Sequence, residues 1–407
     1  MHRVRLSLPY YEMFGWEAEV VIVKQQFVDL PHDQMLLESL PPGLEIHEVN
    51  AFKKKITTKL GLGSTALRSI YYYRKYVNAL LKRKNFDLIL FSTTEFPLCT
   101  LGTYWKKKFN IPFVIDMQDP WHSDYYQNKP KSERPPKYWF SYNLNKFLEP
   151  IAMHEVDGII SVSEKYIATL RLRYENINKI PSQVITFPAA GLDFEIAELH
   201  SKKLTTPLLN SSYTNLVYIG RGGFDLTLSA TLLFETFKKN LDANFDLFKD
   251  IRFYFIGTSY APHGQGVQTI LPIAKKFSIS NYVTEQTDRI PYYNAISYLK
   301  KANGLIILGS DDEGYTASKI YPYILAKKPL LAIFNKKSSA GKIIGDCKSG
   351  YVADLNDPIS AESEISNYLS HRAKNSEYEN STDWEVFSSY TAKNLTKIQC
   401  EFLDKIK

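Results

Sequence analysis

The sequence of 407 residues contains little cysteine and no long apolar run. Its three cysteines, Cys99, Cys347 and Cys400, are an odd number without metal-ligand spacing, so they predict neither a disulfide framework nor a zinc site. No stretch of about 18 uncharged apolar residues is present, so no helix is expected to cross a bilayer. The first residues also lack the apolar core of a signal peptide. These absences favour a globular protein of the cytoplasm.

Acidic residues are absent between Phe52 and Phe86, where ten basic residues exceed the net charge of +7 of the whole chain. One interpretation is a solvated helix face, and the other is that Lys53–Lys84 binds an anionic membrane surface or a phosphate-bearing acceptor. The second interpretation predicts a peripheral position on the inner face of the plasma membrane. No nucleic-acid recognition motif accompanies the charge, so no nucleic-acid partner is expected. The basic residues are Lys53, Lys54, Lys55, Lys59, Arg68, Arg74, Lys75, Lys82, Arg83 and Lys84.

What the sequence does contain is a regular alternation of apolar strands and helices. Runs such as FDLILFST (86–93) and NGLIILGS (303–310) are nearly continuous in apolar residues, which is typical of parallel strands covered on both faces. A polar stretch near residue 200 interrupts the alternation. We therefore predict an α/β protein with two doubly wound, Rossmann-like domains facing a central cleft, over residues 1–200 and 201–383. Ligands of such sheets bind beyond the carboxyl ends of the strands.

A strand is missing where a doubly wound domain normally begins. The sequence starts with a helical pattern, MHRVRLSLPYYEMFGW, and its first strand pattern starts only at Ala18. We expect that the first strand of the domain and its glycine-rich loop are absent from this sequence. The alternative is a domain that starts with a helix.

The segment GSDDEGYTASKIYPYILAKKPLLAIF (309–334) places polar residues between two apolar strands. A helix is expected to start near Ser318, and a helix start offers unpaired N–H groups and the positive end of the helix dipole. Both favour phosphate. Ser318 adds a hydroxyl and Lys319 adds a cation, while Pro322 is tolerated in a first helical turn. The segment therefore predicts a phosphate-binding site.

This segment resembles the C-terminal domain of retaining GT-B glycosyltransferases of the family 4, or group 1, type, which includes hexosyltransferases for bacterial surface polysaccharides. The sequence SKIYPY (318–323) followed by Lys-Pro matches a variant of the family pattern, except that Pro322 stands where the second of two glutamates is expected. The resemblance implies that Asp312 or Glu313 contacts the donor sugar and acts in catalysis. It also implies that Tyr321 lies at the base and ribose of a nucleotide.

Two further segments of the second half are similar to the same family. LVYIGRGG (216–223) resembles its first C-terminal strand and glycine-rich turn, and the loop at 285–291 resembles its base-binding loop. An arginine at the turn suits a diphosphate because a guanidinium makes bidentate contacts. The lysine that many relatives carry after this turn is Thr227 here. The resemblance assigns donor phosphate to Arg221, Gly222, Gly223, Ser318 and Lys319, and base and ribose to Thr258, Arg289, Ile290 and Tyr321.

Polar residues at two strand ends of the first half resemble the acceptor side of the family. PFVIDMQDPWHSDYY (112–126) offers Asp116, Asp119 and His122, and FSTTEFP (91–97) offers Thr94 and Glu95. An aspartate near the cleft can stabilise positive charge that develops on the anomeric carbon. The resemblance therefore implies a catalytic role for Asp119 and acceptor-side roles for the other four residues.

Together these features predict a retaining glycosyltransferase that needs neither metal nor cofactor. It would transfer a sugar from a nucleotide-diphosphate sugar to a glycan or polyprenyl-linked acceptor, in surface polysaccharide synthesis. Two alternatives stay open: a nucleotide-sugar epimerase of the same architecture, and an inactive nucleotide-binding or scaffolding subunit, which Pro322 and the missing strand motivate. The resemblance also implies that a final helix, within residues 384–407, returns toward the first domain.

Overall fold

The computed structural model describes residues 2–28, 33–58, 62–124, 126–127, 130–131, 134, 137–313, 318–374 and 380–407. The chain forms two compact units. The first unit consists of Met1–Gln34, Ser39–Pro188 and Ala392–Lys407, and the second of Met35–Glu38 and Ala189–Thr391. The main division therefore falls between Pro188 and Ala189, ahead of the polar stretch near residue 200.

Strands and helices alternate along both units, as the apolar pattern predicts. The strands are β1 (Val20–Val23), β2 (Ile46–Val49), β3 (Ile89–Ser92), β4 (Phe113–Met117), β5 (Gly158–Ser161), β6 (Ser182–Val184), β7 (Thr214–Ile219), β8 (Ile251–Ile256), β9 (Val283–Gln286), β10 (Gly304–Leu308), β11 (Leu330–Phe334) and β12 (Tyr351–Asp354). The α-helices are α1 (His2–Ser7), α2 (Lys54–Thr57), α3 (Thr65–Leu81), α4 (Thr100–Phe109), α5 (Tyr138–Met153), α6 (Glu164–Arg173), α7 (Gly191–Leu199), α8 (Thr227–Ala243), α9 (Phe245–Phe248), α10 (Leu271–Lys276), α11 (Tyr292–Lys301), α12 (Ile320–Leu325), α13 (Ser339–Asp346), α14 (Pro358–Ala373), α15 (Trp384–Ser388) and α16 (Ala392–Leu403).

The second unit contains one parallel sheet of six strands in the order β12-β11-β10-β7-β8-β9. The chain runs outward from β7 through β8 to β9, then returns to the other side of β7 and runs outward through β10 to β12. The strand order therefore reverses between β7 and β10, where Leu216 is paired with Gly304. Ligands of doubly wound sheets bind at the carboxyl ends of the strands beside such a reversal.

The core of the second unit is built on both faces of this sheet. Every residue of β10 and β11 is buried. On one face, Phe234 and Phe237 of α8 pack edge-to-face against Phe253 and Phe255 of β8. Such aromatic pairs stabilise a core beyond the burial of their area. The carboxyl ends of the central strands are therefore held by a rigid layer.

The first unit contains two parallel sheets instead of one. One sheet pairs β1 with β2, and the other has the order β3-β4-β5-β6. All residues of β4 and β5 are buried, whereas no residue of β1 is buried and Ile22 is 40% exposed. Among the described strands, β1 and β3 are not hydrogen-bonded to each other, and none lies between them to join the two sheets. The first described element is α1.

Helices cover both faces of the four-stranded sheet. Trp105 of α4 stacks on Phe91, which packs edge-to-face on Phe113. On the opposite face, α16 contributes Phe402 and Leu403 to a cluster with Val114, Ile160, Ile185 and Leu395. The chain thus passes from the second unit to the first after Thr391, so α15 belongs to the second unit and α16 to the first. No helix in the described part of the chain is long and apolar enough to cross a membrane.

Candidate functional site

The turn after β7 is held in place by two buried tyrosines. The Tyr218 hydroxyl donates to the Arg221 carbonyl at 2.7 Å. The Tyr323 hydroxyl accepts from the Ile219 N–H at 2.7 Å and donates to the Ile219 carbonyl at 3.1 Å. These bonds satisfy backbone groups that lie at the end of the strand, where the ladder no longer provides partners. The conformation of the glycine-rich turn is therefore fixed by side chains that the sequence analysis did not single out.

Lys319 lies directly against this turn, although it is 98 residues further along the chain than Arg221. Its ammonium donates to the Tyr218 hydroxyl at 2.7 Å, and a Cβ on Gly220 would stand only 3.1 Å from the ammonium nitrogen. Burial is the largest cause that lowers the pKa of Lys319, and the positive charge of Arg221 is the second; together they bring it to about 8. The structure thus brings together the two cations that the sequence assigns to donor phosphate. Two like charges held close to each other favour the binding of an anion.

The two glycines of the turn differ in what their backbone can offer a ligand. The Gly222 N–H donates to the Thr258 carbonyl at 2.8 Å, so it is engaged within the unit. Gly223 has φ +156° and lies under an ion pair, since a Cβ there would be 2.5 Å from both Arg221 Nη1 and Asp225 Oδ1. The pair itself joins Arg221 Nη2 and Asp225 Oδ2 at 2.5 Å. An anion at this turn would therefore meet the Arg221 side chain rather than a free Gly222 amide.

Thr258 follows β8, and its hydroxyl faces inward rather than toward a ligand. It donates to Glu285 Oε1 at 2.8 Å. The buried Glu285 carboxylate also accepts from the backbone N–H groups of Thr269, Ile270 and Leu271 at 3.0, 3.0 and 2.7 Å. Four donors satisfy this carboxylate, which explains how a charged group is accommodated inside the unit. The expected contact of the Thr258 side chain with base or ribose does not follow from this arrangement.

Arg289 and Ile290 lie in the loop after β9, beside the turn that follows β8. Gly257 has φ +74°, and a Cβ there would stand 3.7 Å from the Cα of Arg289. The Arg289 guanidinium lies 4.6 Å from the ring centroid of Tyr260, which is 66% exposed. The structure thus places the predicted base-binding loop next to an exposed aromatic ring at the same edge of the sheet. Sequence reasoning missed Tyr260, although a tyrosine directly after GTS at a strand end is a recognisable signal.

The acidic loop follows β10 at the carboxyl edge of the sheet. Asp311, Asp312 and Glu313 are exposed, and Asn335 Nδ2 donates to the Asp311 carbonyl at 2.9 Å. Residues 314–317 lie outside the described residues. The loop therefore offers carboxylates at the sheet edge where β7 also ends.

The helix after the acidic loop is α12, which begins at Ile320, so Ser318 and Lys319 precede it in a turn. Tyr321 is buried and packs near Phe387 and Tyr390, with ring centroids 6.5 and 5.8 Å away. Its position in an aromatic cluster gives it a packing role and removes its ring from the surface.

In the first unit, two of the predicted acceptor-side carboxylates are engaged in internal contacts. Asp116 is fully buried, and its Oδ2 accepts from Arg3 Nε at 2.7 Å and from Ser92 Oγ at 2.6 Å. Glu95 Oε2 accepts from the backbone N–H of Ala66 at 2.9 Å, in the first turn of α3. Both contacts position secondary structure. Thr94, by contrast, is exposed.

Asp119 and His122 lie in the loop after β4. Partial desolvation raises the pKa of Asp119 above its usual value, because burial disfavours the charged carboxylate. His122 is buried, its ring lies 4.7 Å from that of Tyr142, and burial lowers its pKa. Its Nε2 has no hydrogen-bond partner among the described residues. This nitrogen is buried and lies 4.0 Å from Asp124 Oδ1.

The backbone of His122 is anchored by a buried ion pair that sequence reasoning missed. The His122 N–H donates to Glu149 Oε2 at 2.9 Å, and the other oxygen of Glu149 pairs with Arg173. Arg173 also donates to the His122 carbonyl at 3.3 Å. The signal in the sequence is a glutamate inside an apolar helix segment, NKFLEPIAM, where a carboxylate requires a buried partner.

The basic stretch Lys53–Lys84 divides into structural and exposed residues. Arg68 is buried and donates to the carbonyls of Phe52 and Phe27 at 3.0 and 2.8 Å. The Arg74 guanidinium lies 4.2 Å from the ring centroid of Tyr104, and Lys84 pairs with Glu19 and Glu45 at 2.7 and 2.9 Å. Six other basic residues are exposed, namely Lys53, Lys54, Lys55, Lys75, Lys82 and Arg83.

Glu19, Glu45 and His47 form the group of possible metal ligands found among the described residues. Lys84 donates to both carboxylates, and His47 Nε2 lies 2.7 Å from Glu19 Oε2. The lysine ammonium thus already supplies a positive charge to these carboxylates. The cluster fastens β1 and β2 to the end of α3.

Comparisons at the level of sequence find no matching family model and no similar curated protein. Comparison of the fold finds many solved structures. HepE of Anabaena, solved with UDP and glucose, matches with a TM-score of 0.58 at 12% identity, over 99% of this chain and 94% of HepE. Sucrose-phosphate synthase of Thermosynechococcus elongatus matches with a TM-score of 0.56 at 12% identity, over 98% and 91% of the two chains. The N-terminal domain of trehalose-6-phosphate phosphatase of Candida albicans matches with a TM-score of 0.60 at 12% identity, over 99% and 92%.

These similarities cover nearly the whole chain and both units. They confirm the predicted fold class, an α/β protein with two parallel, Rossmann-like units of the GT-B type. At such low identities they establish the fold, whereas function has to be argued from the site.

Proposed function

We propose that this protein is a retaining glycosyltransferase that binds a nucleotide-diphosphate sugar at the carboxyl edge of the second unit's sheet. The observation that carries the proposal is the meeting of Arg221 and Lys319 at the turn after β7. Lys319 has no carboxylate partner among the described residues, and its pKa is lowered to about 8. A diphosphate would restore the favourable environment that the buried ammonium lacks.

The chemistry assigned to these residues is electrostatic. Arg221 and Lys319 offset the charge that develops on the leaving diphosphate, with Ser318 as a further donor and no metal required. Arg289 and Ile290 lie where the nucleobase would meet the loop after β9. We assign contact with the donor sugar to Asp312 or Glu313, and stabilisation of the anomeric centre to Asp119. His122 and Thr94 are the acceptor-side groups.

UDP is the first nucleotide to test, because HepE was solved with UDP and the matched fold is shared over nearly the whole chain. Titration calorimetry should show that UDP binds and that Arg221→Ala and Lys319→Ala each weaken binding. Each variant loses a charge-assisted contact of about 1.5–3 kcal/mol. Lys275→Ala, an exposed lysine on α10, is the matched control. Unchanged affinity in both site variants would refute the assignment.

Incubation with nucleotide sugars separates the proposal from its two alternatives. Transfer, or slow hydrolysis of the donor, supports a transferase. A changed sugar configuration with intact nucleotide sugar would identify an epimerase. Binding without turnover would identify an inactive subunit, which the replacement of the family glutamate by Pro322 motivates. Transfer that persists in chelator would support the metal-independent mechanism, and restoration by magnesium would contradict it.

We also propose that the exposed part of Lys53–Lys84 binds an anionic membrane surface, where a lipid-linked acceptor would be found. The support is an exposed aromatic cluster beside the lysines. The ring of Phe52 lies 5.1 Å from that of Tyr72, and the ring of Tyr72 lies 5.3 Å from that of Tyr71. Phe52 and Tyr71 are about half exposed. Aromatic rings beside lysines suit the interface of an anionic bilayer.

Vesicle co-sedimentation tests this surface. Binding should rise with anionic lipid and fall with salt, because membrane attraction is about 1 kcal/mol per basic residue near the surface and is screened. Replacement of Lys53, Lys54 and Lys55 by Gln should weaken binding. The same replacement at Lys336, Lys337 and Lys342, three exposed lysines of the second unit, is the control. Equal binding to neutral and anionic vesicles would refute the proposal.

A further inference from the structure

A carboxylate is bonded to Arg221, the guanidinium that the proposed function assigns to the donor diphosphate. Asp225 Oδ2 lies 2.5 Å from Arg221 Nη2, and each of the two side chains is 45% exposed. The pair covers Gly223, because a Cβ there would be 2.5 Å from Arg221 Nη1 and from Asp225 Oδ1.

The same carboxylate acts on the second cation of the site. Asp225 raises the pKa of Lys319, against the larger lowering by burial and by Arg221. Among the described ion pairs, none joins Lys319 to a carboxylate. The turn and its surroundings thus contain two cations, Arg221 and Lys319, and one anion, Asp225. The anion is bonded to Arg221, which is the more exposed of the two cations.

We propose that Asp225 is an internal competitor of the donor diphosphate, which holds Arg221 in the empty site and is displaced from it when the nucleotide binds. This inference rests on the proposed function of the site. An ion pair between half-exposed side chains four residues apart is weak, typically 0.2–1 kcal/mol. A diphosphate that makes bidentate bonds to the guanidinium displaces it readily. When the nucleotide leaves, Asp225 takes back Arg221, so the pair lowers affinity for the product and favours its release.

The test is a gain of affinity, which loss of folding cannot imitate. Asp225→Asn keeps the shape of the side chain and removes its charge. Titration calorimetry with UDP should show binding about 1.4- to five-fold tighter than in the unsubstituted protein, the range that corresponds to a weak ion pair. Inorganic pyrophosphate should show a gain in the same direction. The gain should shrink with added salt.

The control is the same substitution in a similar ion pair elsewhere on the same unit. Lys238 and Asp242 form an exposed pair four residues apart on α8. Asp242→Asn should leave UDP affinity unchanged. If Asp242→Asn tightens UDP as much as Asp225→Asn does, the effect is one of overall charge and the inference is overturned.

A double substitution separates competition for Arg221 from general repulsion. In an Arg221→Ala background, Asp225→Asn should lose most of its gain, because the group for which it competes is gone. An undiminished gain in that background would overturn the inference. If Arg221→Ala and Lys319→Ala weaken UDP while Asp225→Asn changes nothing, the site stands and only the competitor is refuted. If Arg221→Ala and Lys319→Ala leave UDP affinity unchanged, the proposed function of the site itself is refuted.

Discussion

The two units alternate strands and helices in the same way, but only the second completes one sheet. In the second unit, β7 and β10 are hydrogen-bonded neighbours at the point where the strand order reverses. In the first unit, no pairing of described strands joins β1 to β3, and the sheet is divided into two and four strands. The difference shows in burial, since β10 is fully buried while β1 is not.

A side chain partly replaces strand pairing at this division. The Tyr73 hydroxyl of α3 donates to the Val21 carbonyl at 3.4 Å. Burial raises the pKa of Tyr73, so its proton remains available for this bond. A hydroxyl satisfies one backbone group, whereas a neighbouring strand would satisfy alternate groups along the whole edge. The first unit therefore depends on individual side-chain contacts where the second depends on a ladder.

The largest expected effect concerns the buried ion pair that fastens α1 to the first unit. Arg3 bonds to Asp116 and to the carbonyls of Ile185 and Thr186. Arg3→Ala leaves the fully buried Asp116 carboxylate without its charged partner, which should cost about 3–5 kcal/mol in the free energy of unfolding. Urea unfolding should show this loss. A loss below 1 kcal/mol would mean that the first unit does not rely on this contact.

Truncation of an isoleucine to alanine should lower the free energy of unfolding by different amounts in the two units. Ile306→Ala in β10 creates a cavity in a packed core and should destabilise the protein by about 2–5 kcal/mol. Ile22→Ala in β1 removes a side chain that is 40% exposed and should cost less than about 1 kcal/mol. Similar losses in denaturant unfolding would break the comparison between the units.

Each unit contains a cation that is largely removed from solvent, Arg3 in the first and Lys319 in the second. Only Lys319 is expected to change its charge near neutral pH. Arg3 is bonded to the Asp116 carboxylate, whereas Lys319 has a pKa of about 8, below its ordinary value of 10.5. Its charged form is disfavoured in the fold, so its contribution to stability should increase between about pH 8 and 10.5. If the proposed function holds, UDP binds the charged form of Lys319, so UDP affinity should fall above about pH 8, by at most tenfold per pH unit. Calorimetry at several pH values checks this, and Lys319→Met should remove the fall.

The smallest expected effect is at the divided sheet. Tyr73→Phe removes only the hydroxyl that bonds to Val21, which should cost about 0.5–1.5 kcal/mol. Hydrogen exchange should become faster in β1 and stay unchanged in β10. Tyr76→Phe is a comparison on the same helix, because that hydroxyl bonds to His47 instead. Equal acceleration in β1 and β10 would show that the two sheets unfold as one.

Much of the architecture follows from local sequence. Apolar runs of strand length, alternating with helical patterns, predict parallel α/β sheets because both faces of such strands are covered. The strands β3 (Ile89–Ser92) and β10 (Gly304–Leu308) lie within the runs FDLILFST and NGLIILGS that predict them. The glycine-rich turn with Arg221 and the loop with Lys319 each have a recognisable composition. The boundary between the units has no recognisable composition, because polarity near residue 200 reflects only exposure. The contacts that assign α7 to the second unit are made by residues distant in sequence.

The roles of individual polar residues were decided by tertiary structure. The sequence and its family resemblance offer Asp116, Glu95, Thr258 and Tyr321 as candidates for binding. The fold gives Asp116 an arginine from 113 residues away and gives the Thr258 hydroxyl a glutamate from 27 residues away. The sequence itself determined the strand and helix pattern and the type of each charged group. Only the tertiary structure decided which charged groups found an oppositely charged internal partner and which, like Lys319, are bonded to a neutral hydroxyl instead, because burial and hydrogen bonding are set by neighbours in space.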